Sequence, residues 1–248
     1  MTLPWKRFVA VGDSLTEGVG DPRPGGGLRG WADLLAGALQ AVDPDLIYVN
    51  LARRGLRTED VRRTQLPAAV AARPDLASAV SGMNDLLEPD FEPSHFDREL
   101  DALVRPLSET GALILTATFP DVTMFSPLPK RFTAAVRSRL LAANEVIRGV
   151  SRRHGTLCLD ADELPEPVER AMMSVDRLHP GPRGHLLIAQ LFARMLEERS
   201  GVPIPPPEGV DVAGRLLQAR WLLRQFDPRE IARFVRRVYL PTRRRVEP

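Results

Sequence analysis

Disulfide chemistry is closed to this chain, because Cys158 is its only cysteine and no internal pair can form. Metal ligands are scarce as well. There are four histidines, none paired at the spacing of a zinc-binding helix, and one thiol builds no zinc cluster. Neither a metal nor a cofactor is expected. No apolar run approaches the ~20 residues that a membrane span needs. The first strand pattern begins at Arg7, which leaves no stretch that reads as a cleavable leader. A cytoplasmic protein without a membrane span is therefore expected. Lysine is limited to Lys6 and Lys130, and arginine supplies every other basic side chain. Net charge is +2, and no basic stretch is interleaved with aromatics, so nucleic acid is not expected as a partner.

What the chain does contain is an apolar fraction of 44%, enough for a well-filled core. Short β-branched runs alternate with longer helical patterns. Strands are expected at Arg7–Val11, Leu46–Asn50, Asp75–Ser81, Ala112–Thr118 and Thr156–Asp160. Helices are expected at Gly30–Ala41, Thr58–Ala71, Ser94–Thr110, Phe132–Arg153 and Gly184–Arg199. In the fourth of these, Val136, Leu140, Ala143, Ile147 and Val150 form a helical stripe. Such alternation predicts parallel βαβ units. The expected fold is a three-layer α/β/α sandwich around a five-stranded, flavodoxin-like parallel sheet.

That domain is expected to span residues 1–201. Residues 202–209, with the run Pro205-Pro206-Pro207, read as a stiff linker. Residues 210–248 read as a helical hairpin. Its first arm, Val210–Arg224, has Val212, Leu216, Ala219 and Leu223 on one side. Its second, Pro228–Leu240, has Ile231, Phe234, Val235 and Val238, with Asp227 as N-cap. Neither helix could bury its stripe alone. The hairpin is expected to dock on the body, pair with a second copy in a homo-oligomer, or meet another partner, and not to supply the catalytic site.

Phe8-Val9-Ala10-Val11 runs straight into Gly12-Asp13-Ser14-Leu15. A strand ending in this tight turn delivers a serine to the carboxyl edge of a sheet, where open α/β folds bind ligands. Three more blocks follow in order: Asn50-Leu51-Ala52-Arg53-Arg54-Gly55, Gly82-Met83-Asn84-Asp85 and Asp176-Arg177-Leu178-His179-Pro180. Together they resemble the SGNH branch of the GDSL esterase/lipase family, over about residues 6 to 200.

The resemblance implies the same fold and a serine acylhydrolase acting on small-molecule esters. Ser14 would be the nucleophile, which needs an adjacent base. His179 would be that base, and Asp176 would orient it. Gly55 and Ser14 through backbone N–H groups, and Asn84 through its amide, would form the oxyanion hole. Plainer readings stand beside these. Ser14 could cap the next helix, Gly55 could be a turn glycine, Asn84 an Asx-turn residue and His179 a packing residue. Asp13 and Asp85 read as turn organisers, and His95, His154 and His185 as structural residues. Cys158 reads as a small buried apolar residue. Arg53 and Arg54 are either solvated charge or a basic rim attracting anionic substrates.

Gly25-Gly26-Gly27-Leu28-Arg29-Gly30 fits G-x-G-x-x-G but follows no strand directly, so it does not read as a dinucleotide site. It reads as a loop that could gate an acyl pocket, with Trp31 anchoring the next helix. Met124, Phe125, Leu128 and Phe132 could line that pocket or belong to the core. No segment reads as a long apolar tunnel. The expected activity is metal-independent hydrolysis of small or medium acyl esters. The alternatives are an acyltransferase using the same triad and a non-catalytic binding module on the same scaffold.

Overall fold

A computed structural model of the chain describes residues 2–125, 130–164, 168–208 and 214–225. Five strands form one parallel sheet: β1 (Arg7–Gly12), β2 (Ile47–Asn50), β3 (Leu76–Val80), β4 (Leu113–Ala117) and β5 (Leu157–Leu159), in the order β2-β1-β3-β4-β5. The chain leaves β1 for one edge, then returns to build the other side from β3 outward. That reversal between β1 and β3 is the point where open sheets of this order bind ligands. The register pairs Gly12 with Val80. The segments that follow them, Asp13-Ser14 and Ser81 to Asn84, therefore leave the sheet side by side.

Helices cover both faces, which is why β1 and β3 are apolar nearly throughout. Alternate residues of β1 point to opposite sides. Phe8 and Ala10 meet α2 (Trp31–Val42) and α8 (Pro182–Ser200) through Trp31, Leu35, Leu39, Phe192 and Leu196. Val9 and Val11 face α6 (Pro93–Glu109) and α7 (Lys130–His154) through Phe96, Leu103, Leu140 and Ile147. Each such large side chain contributes about 1.5–3 kcal/mol on burial.

Shorter helices complete the order: α1 (Ser14–Glu17), α3 (Thr58–Thr64), α4 (Leu66–Ala71), α5 (Met83–Leu87) and, after the main body, α9 (Arg215–Gln225). The single helix expected over Thr58–Ala71 is thus two. The break is at Gln65, with φ −107° and ψ −38°, and Pro67 lies in the first turn of the second piece. Gln65 is buried, and its amide makes a matched pair of 2.9 Å bonds to Gly12, accepting from its N–H and donating to its carbonyl. The helix gives up its regularity to grip the end of β1.

The proline segment, expected as a stiff linker, lies on the body. Val202 and Ile204 are buried against the α2–α8 side, and the Ile204 N–H donates to Glu197. In α9, among the described residues, Leu216 is 82% and Leu223 69% exposed, while Gln218 is 5% exposed. The second arm of the expected hairpin, 228–240, lies outside the described residues. Cys158, expected to be buried, is half-buried near the sheet edge.

Candidate active site

Ser14 is the first residue of α1, directly beyond β1. Asp13 caps this helix, its Oδ1 accepting the Leu15 N–H at 3.0 Å. The Ser14 N–H therefore heads a helix, where the first N–H groups have no acceptor within the helix. The Ser14 hydroxyl lies 2.8 Å from Nε2 of His179. On the far side of that ring, Nδ1 lies 2.7 Å from Oδ2 of Asp176. The three groups stand in one line, though the first and last are far apart in sequence.

The loop that presents His179 is closed by its own backbone. Met173 and Pro180 form an isolated antiparallel bridge, and the Ser174 N–H donates to the His179 carbonyl at 2.9 Å. Arg177 takes a left-handed φ of 60° at the tip, a conformation that costs about 1–3 kcal/mol for a non-glycine residue and is concentrated at functional sites. Asp176 Oδ1 accepts the N–H groups of Leu178 and His179 at 3.0 and 3.1 Å. Burial alone would raise the Asp176 carboxyl. The bond to His179, the charge of that ring and the two backbone N–H groups outweigh it and hold the carboxyl below the usual range.

Asn84 begins beside this line, in α5, because β3 ends next to β1. Its amide nitrogen donates to the Leu56 carbonyl at 2.9 Å and stands 3.5 Å from Asp13 Oδ2. It therefore meets the segment that carries Gly55. Gly55 is exposed with φ +78°, and a Cβ there would meet no atom within 4 Å. The positive φ favours glycine, and the space in front of the Gly55 backbone is open. On its other flank, the Arg53 N–H donates to the Gly12 carbonyl at 3.2 Å. Asp85 ties α5 to α3 by accepting from both the backbone N–H and the hydroxyl of Thr58 at 3.0 Å.

Asp13 is fully enclosed, and desolvation pushes its carboxyl up to about 7 against the lowering effect of the Leu15 N–H. His185 is also buried. Its Nδ1 accepts the backbone N–H of Trp31 at 3.2 Å, and its Nε2 donates to the Val19 carbonyl at 3.0 Å. It pins α8 to the segment after α1. His154 pairs with Asp101 at 2.8 Å, remote from the serine. Among the described residues, no group of three His, Cys, Asp or Glu side chains is arranged to hold a metal ion.

An apolar cavity of about 100 Å³ opens on Ser14 and His179. Leu15, Met83, Phe119, Leu159, Met172 and Leu191 are among its walls. It draws on Phe119, Pro120 and Val122 after β4, whereas Met124 is 69% exposed. Leu128 and the Phe132 side chain lie outside the described residues. The glycine-rich loop is the tip of a small hairpin closed by a Pro22–Leu28 bridge. Its Gly27 and Leu28 border a separate polar cleft with Glu17, Asn50, Arg54 and Trp221, not the cavity at Ser14. Arg54, expected as either solvated charge or part of a basic rim, is ion-paired with Glu17 at 2.8 Å.

Sequence alone does not single out Gln65 and Glu17, which bond to backbone beside the site, or Trp221, whose ring meets the Arg54 guanidinium. A glutamine just before Leu66-Pro67, at a helix break, was the signal for the first; a long-range pair such as Arg54 with Trp221 leaves none.

A sequence model of the GDSL-like Lipase/Acylhydrolase family matches residues 10–187, a range that holds all five candidate site residues. An acetylxylan esterase from Geobacillus stearothermophilus is 24% identical over 213 residues, which is 76% of this chain and 93% of the relative. The crystal structure of a catalytic mutant of that esterase superposes with a TM-score of 0.63 at 22% identity, covering 79% of this chain and 95% of the other. An alpha/beta hydrolase enzyme from the metagenome of Lake Arreo, Spain, gives a TM-score of 0.63 at 24% identity, covering 79% and 96%. Among the described residues, no helix is long and apolar enough to cross a membrane.

Proposed function

The chain belongs to the GDSL-like lipase/acylhydrolase family, and we propose that it hydrolyses esters of small acyl groups through an acyl-enzyme on Ser14. It is a serine esterase acting on carboxylic ester bonds. The observation that carries the finer reading is the hydroxyl–imidazole–carboxylate line, with its serine end open to an apolar cavity.

In this reading His179 Nε2 accepts the Ser14 proton as Oγ bonds to the ester carbonyl carbon. Asp176 keeps the other proton on Nδ1 and stabilises the imidazolium. The carbonyl oxygen becomes an oxyanion, met by the Ser14 and Gly55 N–H groups and the Asn84 amide. Collapse breaks the bond to the alkoxy oxygen, which leaves as the alcohol with the proton from Nε2. A water molecule then repeats the sequence on the acyl-enzyme and releases the acid. Nothing in these steps calls on a metal or cofactor.

The acetyl ester in the name of the acetylxylan esterase relative favours short acyl chains. An acetylated sugar is a sensible member of the substrate panel, because the curated relative is an acetylxylan esterase. The test is turnover of a model ester series from acetyl to octanoyl, with fluorophosphonate labelling of Ser14. Labelling and hydrolysis, both lost in Ser14→Ala, are expected, with the rate falling as the acyl chain lengthens. A rate that climbs to octanoyl would overturn the short-chain reading. Faster product formation with added alcohol acceptors, at the expense of free acid, would turn the reading to acyl transfer.

A further inference from the structure

We propose that Trp221, in the C-terminal helix, is a positioning residue for the segment that carries Gly55. The inference rests on the proposed role of Gly55 as an oxyanion donor. It extends the working site into a part of the chain outside the family match, which ends at residue 187.

The Arg54 guanidinium lies over the Trp221 ring, 4.7 Å from its centroid. The same guanidinium meets both carboxylate oxygens of Glu17, with Nε at 2.9 Å from one and Nη2 at 2.8 Å from the other. The Arg54 backbone N–H also donates to Glu17, at 2.7 Å. A planar guanidinium can stack on a ring while its edge forks onto a carboxylate, so both demands are met at once. Side chain and backbone of Arg54 are thereby fixed to one acidic group. Glu17 is the last residue of α1, and Ser14 is its first. Gly55 is the residue after Arg54. The chain of contacts thus runs from Trp221 through Arg54 to the short helix of the nucleophile on one side and to Gly55 on the other.

Exposed ion pairs of long side chains gain little, because holding both in one geometry costs entropy and water screens them. Here the Arg54 and Glu17 side chains are 29% and 23% exposed, and the indole covers one face of the guanidinium. The way α9 lies on the body supports the same conclusion. Its outward residues include Leu216 and Leu223, whereas Gln218 and Trp221, one turn apart, face the body, with Leu217 and Leu222 half-buried beside them. Trp221 borders the polar cleft with Glu17 and Asn50 and is not among the walls of the cavity at Ser14. Its influence on the reaction therefore passes through Arg54.

The experiment uses the full chain and a short ester. Displacing a catalytic donor by a fraction of an ångström to 1 Å lowers the rate by about ten- to a hundredfold. Trp221→Leu keeps an apolar side chain and removes the ring face. It is expected to lower kcat about tenfold, with KM within about twofold, and to melt like the parent. Trp221→Phe, which keeps a ring, is expected to restore most of kcat. Arg54→Ala is expected to lose at least as much, and the double variant Trp221→Leu with Arg54→Ala no more than Arg54→Ala alone. Unchanged kcat in Trp221→Leu, losses that multiply in the double variant, or an effect on KM alone would each overturn the proposal. If Trp221→Leu unfolds, Trp221→Phe against Arg54→Ala in the folded proteins carries the same comparison. Parent turnover that vanishes in Ser14→Ala tests the esterase reading separately, and the variant-to-parent ratios test this one.

Discussion

Gly20 lies against the carbonyl of Pro180: a Cβ on Gly20 would stand 1.9 Å from that oxygen, and φ at Gly20 is +108°. The segment that follows the serine helix is therefore in backbone contact with the loop that presents His179. Alanine at position 20 must either push Pro180 away or force the serine-side segment aside. The strained φ adds about 1–3 kcal/mol to the cost of the contact. We expect Gly20→Ala to lower the melting temperature by several degrees and to lower kcat by more than tenfold, since a shift of Pro180 moves the adjacent imidazole. Kinetics and a thermal melt on the same preparation check this, and a parental kcat would show that the two loops move independently.

Removing one member of a hydroxyl–imidazole–carboxylate line should cost nearly as much as removing two. Ser14→Ala and His179→Ala are expected to fall to the same residual rate, and the double variant to fall no further. Asp176→Asn is expected to lose on the order of a thousandfold or more, because an amide nitrogen facing Nδ1 favours the wrong tautomer. Losses in Ser14→Ala and His179→Ala that simply multiply would mean that the two residues do not work on one proton.

Asn84 is expected to act on kcat. Its amide nitrogen donates to Leu56 at 2.9 Å and only at a long 3.5 Å to Asp13, so an oxyanion would compete with a weak contact for its second hydrogen. Loss of one such donor typically costs ~100- to 1,000-fold in rate. Asn84→Ala should therefore lower kcat far more than it alters KM. A change confined to KM would make Asn84 a residue of ground-state binding.

The parts of this molecule that local chemistry writes were readable in the sequence. Strands such as Phe8–Val11 are apolar on both faces because helices cover both, and that pattern needs no structure to be seen. The Gly-Asp-Ser turn, the glycine at φ +78° and the Asp-x-x-His spacing are likewise local. What escaped was written in tertiary contact. Gln65 broke an apparently continuous helix because its amide is spent on Gly12. Leu216 and Leu223 read as the stripe of α9 in need of cover, yet the helix meets the body through Gln218 and Trp221, with Leu217 and Leu222 half-buried beside them and the ring on the Arg54 guanidinium. Periodicity ranks faces by hydrophobicity and has no knowledge of a particular partner. The cavity at Ser14 was invisible for the same reason: its walls come from β-strand ends, α8 and the segment near Met172.

His185 supplies a prediction about acid stability that is independent of catalysis. The ring is fully buried, accepting from Trp31 and donating to Val19, and burial pushes its pKa down to about 4. In the unfolded chain a histidine titrates near 6.5. The folded state thus refuses a proton that the unfolded state takes up. Stability from this group is complete above about pH 6.5 and is lost as pH falls from there toward about 4. The whole span is worth about 3 kcal/mol at 1.36 kcal/mol per pH unit. Asp13 acts in the opposite sense: its carboxyl is raised to about 7, so its cost grows as pH rises from about 4 toward 7. The two must be separated by difference. His185→Gln keeps one acceptor and one donor but cannot titrate. Urea unfolding of the parent and of this variant at pH 7.5, 6, 5 and 4 is expected to show a stability gap that shifts in favour of the variant on acidification. The shift should approach about 3 kcal/mol by pH 4. A gap that stays constant across this range would mean that His185 takes up its proton in the folded protein as readily as in the unfolded one, and that its buried bonds do not hold it neutral.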